Sequence, residues 1–161
     1  MPSDIEGRDE FAALIVRTDY GDEAAWRRVT EELGRPWGLD GDFEARVHLA
    51  DDPSWAGATP EQVLAAVGRD EELSVVFVAD RTTMTSPHRA LLALHVRAED
   101  EDEHLDPEYY GQLVDSPPAR EFRTAPAGVH DVHANLSLAN MDFEDYAEAA
   151  VEDPEGVFRG F

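Results

Sequence analysis

Asp19, Asp51, Asp52 and Asp80 are the residues best placed to do chemistry together. Each falls just past an apolar stretch that reads as a strand. If those strands run parallel, the four carboxylates converge on one rim, the edge at which open α/β sheets bind ligands. Hard oxygen ligands gathered in this way can hold magnesium or calcium. The simpler account is that aspartate is common in turns and helix caps, where its side chain accepts from nearby backbone N–H groups. Arg17, Thr82 and Thr83 lie beside these positions, and Asn135, Ser137 and Asn140 form a later polar group. Arg17, Asp19, Asp80, Thr82, Thr83, Asn135 and Asn140 are therefore the expected ligand-binding set, suited to a small anion or metabolite. The same residue types also serve ordinary capping.

Six histidines are present, and His130 and His133 form an H-x-x-H pair, one turn apart on a helix. That spacing can put two imidazoles on one metal, but it lacks the glutamate of H-E-x-x-H. His95 sits within an apolar run and reads as a core residue. No cofactor is expected beyond a divalent cation at the acidic rim.

Composition removes several chemistries. The 161 residues contain no cysteine, which excludes thiolate nucleophiles, zinc–thiolate sites and disulfides. They also contain no lysine, since all 13 basic residues are arginine. A GC-rich coding bias accounts for that choice. Its chemical consequence is that Schiff-base and P-loop lysines are excluded. A receiver-domain reading of the acidic rim fails for the same reason, because it needs a lysine late in the chain. No nucleotide fingerprint or G-x-S-x-G elbow occurs. The net charge of −23 repels nucleic-acid phosphates and anionic membranes. It suits either a solubilising surface or docking on a partner with a basic surface.

The elements that must position these residues follow from apolar periodicity. Phe11 to Val16 and Leu73 to Ala79 are continuously apolar, as strands buried on both faces are. Phe43 to Leu49 alternates, which suits a strand outside those two. Gly21-Asp22-Glu23 opens a helix whose apolar stripe is Ala25, Trp26, Val29 and Leu33. Thr59-Pro60-Glu61-Gln62 is a capping box that starts a second helix. Leu91 to Val96 follows Ala79 too closely for a parallel crossover and should run antiparallel. Glu121 to Thr124 reads as a short edge strand, and Asn135 to Ala139 as a further short strand or a turn. Asp142 caps a last helix with Phe143, Tyr146, Ala147, Ala150 and Val151 on its apolar face.

Residues 1–10 are polar and read as a frayed terminus without an apolar signal core. No apolar run approaches the roughly 20 residues that span a bilayer, so a cytoplasmic location is expected. The expected fold class is α/β: residues 11–161 as a single domain, with a mixed, mostly parallel central sheet of about five strands and helices packed on it. A loop at about 98–120 carries the unbroken acidic run Glu99 to Glu103. That run reads as solvated surface or as a docking strip, with Tyr109 and Tyr110 as aromatic anchors beside it.

The segments Leu14 to Tyr20 with Trp26, Asp51 to Pro53, Phe77 to Met84, Asn135 to Phe143 and Gly156 to Phe161 carry a resemblance that spans nearly the whole chain. The R-T-D-Y, V-A-D-R-T-T-M, N-L-S-L-A-N-M-D-F and G-V-F-R-G-F pieces resemble an uncharacterised actinobacterial domain-of-unknown-function family. The resemblance brings no activity with it. It points to Arg17, Asp19, Asp80, Thr82, Thr83, Asn135, Asn140 and Asp142, and away from the H-x-x-H pair. The expected function is that of an acidic binding or accessory protein that engages a protein partner, by analogy with immunity and inhibitor proteins. The alternative is a small-molecule-binding domain or enzyme that uses the acidic rim with a divalent cation.

Overall fold

The computed structural model describes residues 12–35, 47–51, 53–67, 75–86, 89–96, 121–137, 143–154 and 156–158. Residues 1–10, the loop at 98–120 with its Glu99 to Glu103 run, Asp52, Asn140 and Asp142 lie outside the described residues. Six strands form one mixed sheet in the order β2-β1-β3-β4-β5-β6. They are β1 (Ala13–Arg17), β2 (Val47–Ala50), β3 (Val75–Ala79), β4 (Leu91–His95), β5 (Glu121–Thr124) and β6 (Val157–Phe158). β1 pairs in parallel with β2 and β3, and β5 in parallel with β6. β4 runs antiparallel to β3 and β5. This is the α/β class expected, with one strand more than anticipated.

Among the described residues, five α-helices accompany the sheet: α1 (Glu23–Leu33), α2 (Pro60–Val67), α3 (Arg81–Thr85), α4 (Pro126–Ser137) and α5 (Phe143–Glu152). Strand alternation divides the core into two layers. Ala13, Ile15, Phe77 and Ala93 face one side and pack with Trp26 and Val29 of α1, Val129 and Val132 of α4, and Phe143 and Tyr146 of α5. Leu14, Val16, Val76, Val78 and Leu92 face the other side and pack with Trp55, Val63 and Val67. Every residue of β1 and β3 is buried, which explains the unbroken apolarity of Ala13 to Val16 and of Val75 to Ala79. Among the described residues no helix is long and apolar enough to cross a membrane.

Local signals set the helix starts. Asp22 caps α1 by accepting from the Ala25 N–H at 2.9 Å. Thr59 and Gln62 close a reciprocal capping box on α2. Asp80 and Thr83 close another on α3. The chain then turns back through Arg89, whose φ of 52° lies in the left-handed region, and enters β4 antiparallel to β3.

Two expectations need correction. Glu121–Thr124 is not an edge strand, because Val157–Phe158 docks beside it as β6. The segment from Asn135 does not begin a strand or a turn; Asn135 and Leu136 belong to the last turn of α4. This helix escapes periodicity because polar residues share its buried side: His130 and His133 are buried beside Val129 and Val132. Gly128 belongs to the same close approach. A Cβ there would meet the Thr124 hydroxyl oxygen at 2.6 Å and the Phe158 ring at 2.8 Å.

Candidate functional site

The parallel strands β1, β2 and β3 end on one rim, and β1 lies between the other two. The chain leaves β1 for β2 on one side and returns to β3 on the other. The carboxyl end of β1 is therefore the reversal point where ligands bind in open α/β sheets. Arg17 occupies it. As the last residue of β1 it pairs in register with Ala79 and shares the face of α1.

Arg17 is only 2% exposed, so its charge must be met inside the protein. Its Nη2 donates to Glu23 at 2.8 Å, its Nη1 to Asp51 at 3.2 Å, and its Nε to the Asp19 carbonyl at 3.0 Å. The guanidinium also lies 4.2 Å from the Tyr20 ring centroid and 5.0 Å from that of Trp26, within cation–π range. Trp26 Nε1 donates to the other oxygen of Asp51 at 3.3 Å. One buried cation thus holds two carboxylates whose side chains are 69% and 41% exposed. The node carries a net negative charge, and its negative part faces water.

Asp80 belongs to a second node on the opposite face. Arg123 is in register with Leu92, which is in register with Val78, and both apolar partners belong to the other core layer. The Arg123 guanidinium grips the Asp80 carboxylate with both ends, at 2.8 and 2.9 Å. The same carboxylate accepts from the Thr83 N–H at 3.1 Å. Burial pushes the Asp80 pKa up, but the Arg123 fork and the Thr83 contacts outweigh it and hold the group below its usual range. Asp80 is an ionised anchor.

Asp19 accepts from the Gly21 N–H at 2.8 Å and so shapes the turn into α1. Asp19 and Asp51 are brought together through Arg17, while Asp80 answers to Arg123 across the sheet. Among the described residues no three His, Asp or Glu side chains gather in a group that could hold a metal ion. Thr82 is exposed on α3, and Thr83 is buried, with its hydroxyl donating to the Ala90 carbonyl at 2.9 Å. Asn135 lies elsewhere. It is nine residues along α4 from the rim-side Pro126, about 14 Å at 1.5 Å per residue. Its side chain donates to the Asp131 carbonyl and carboxylate at 3.0 and 2.8 Å.

A family model described as a domain of unknown function, DUF6924, matches residues 12–161. The chain belongs to this family. Searches against curated proteins and against solved structures return no match. The DUF6924 match takes in both arginine nodes and all six strands.

Sequence reasoning missed several participants in this DUF6924 chain. Arg123 was legible only as a charge in a short strand; alternation with Phe122 and Thr124 could have placed it opposite the main core. Glu23 read as a first-turn acid and Trp26 as core stripe, yet both also serve Arg17. Also missed is a part-buried cluster between α4 and α5, where the Tyr146 hydroxyl donates to the Asp131 carbonyl at 3.3 Å. Burial and the Asp131 carboxylate push the Tyr146 pKa up to about 12, against the pull of Asn135. Burial likewise raises Asp131, with the Asn135 hydrogen bond opposing it. The histidine pair lies on α4, and His130 Nε2 sits 2.7 Å from the Leu33 carbonyl that ends α1. A neutral ring that donates there satisfies an otherwise orphan helix-end acceptor.

Proposed function

We propose that this domain is a cytoplasmic accessory protein that acts by binding a protein partner through that partner's basic surface. The observation that carries the proposal is the acidity of the exposed side of α5 and of the sheet rim. The sequence of α5, Phe-Glu-Asp-Tyr-Ala-Glu-Ala-Ala-Val-Glu, contains no basic residue. Asp145, Glu148 and Glu152 are exposed along it, and Val151 beside them is 82% exposed. Like charges at i,i+4, such as Glu148 and Glu152, cost a helix roughly 0.2–0.5 kcal/mol per pair. The exposed Asp22, Glu23 and Asp51 add a second acidic region at the rim, where Arg17 neutralises one charge of the three. A basic partner would remove this repulsion, and steering by the net charge of −23 would speed encounter.

The test begins with partner capture on the full chain. The recovered protein is then titrated against the domain by calorimetry over a range of salt. The reading expects a basic partner whose affinity falls steeply as salt rises. A partner of acidic surface, or an affinity indifferent to salt, overturns it.

A further inference from the structure

We draw no further inference here: the strongest candidate, the buried Trp55 side chain on the α2 side of the sheet, whose indole Nε1 has no hydrogen-bond partner among the described residues, lies within the apolar cluster of Leu14, Val16, Val63 and Val67, and nothing among the described residues shows a cavity through which a ligand would reach it.

Discussion

Replacing Asp80 with asparagine separates two roles that the same carboxylate performs. Asparagine keeps a side-chain oxygen for the Thr83 N–H, so the cap on α3 survives. It removes the charge gripped by Arg123 at 2.8 and 2.9 Å. A net hydrogen bond to a charged group is worth about 1.5–3 kcal/mol, whereas fully exposed pairs give about 0.2–1 kcal/mol. The two side chains are 26% and 27% exposed. Solvent therefore screens the pair in part, and we expect a coupling of about 1–2 kcal/mol. The measurement is a double-mutant cycle of Asp80→Asn and Arg123→Gln by urea unfolding. At about 2–4 °C per kcal/mol for a chain of this size, Asp80→Asn alone should lower the melting temperature by roughly 2–8 °C. The pH dependence follows from the depressed Asp80 pKa. Its stabilisation is complete above the ordinary value of 3.8 and is lost as pH falls through the lower folded value. The gap between wild type and Asp80→Asn should accordingly narrow only in strong acid. A coupling below about 0.3 kcal/mol, or a gap that closes near neutral pH, would refute the reasoning.

Two further substitutions test the packing that surrounds the rim. Gly128→Ala should destabilise by about 1–2 kcal/mol in urea titrations, because overpacking against Thr124 and Phe158 exceeds the helix-propensity gain of about 1 kcal/mol; equal or greater stability would show that α4 can shift outward. His130 is held below its ordinary 6.5 by burial, with the Leu33 carbonyl opposing. Its neutral form is thus the folded form, and stability should be full above that value and fall as pH drops through it. The stability advantage of wild type over His130→Gln should shrink between about pH 7 and 5, and a constant difference would count against this account.

What could be read in the sequence depended on whether a residue's partner lay within reach of local pattern. β1 and β3 were legible because both faces are buried, and an unbroken run of Ile, Val, Leu and Phe has few other uses. α1 and α2 were legible because Asp22, Thr59 and Gln62 cap within three residues of themselves. The tight return to β4 was legible from its length alone. β5 was misjudged as an edge because its neighbour β6 has two residues, too few for any periodicity. α4 was missed because its buried side includes Gly128, His130 and His133, residue types that read as turn or surface. Glycine is required there by contact with Phe158, 30 positions away in the chain.

The aspartates show the same limit more sharply. Their positions at strand ends follow from local pattern, and a position at the rim is a condition for a shared site. Whether they share one depends on side-chain direction and on long-range cations. Asp80 lies 43 residues from Arg123, and Asp51 lies 34 residues from Arg17. Strand alternation sends Arg17 to the α1 face and Arg123 to the opposite one. Each arginine draws its carboxylates to its own side. Two positive charges fixed on opposite faces therefore divide what composition suggested was one acidic set, and leave the exposed excess at Asp51 and Glu23.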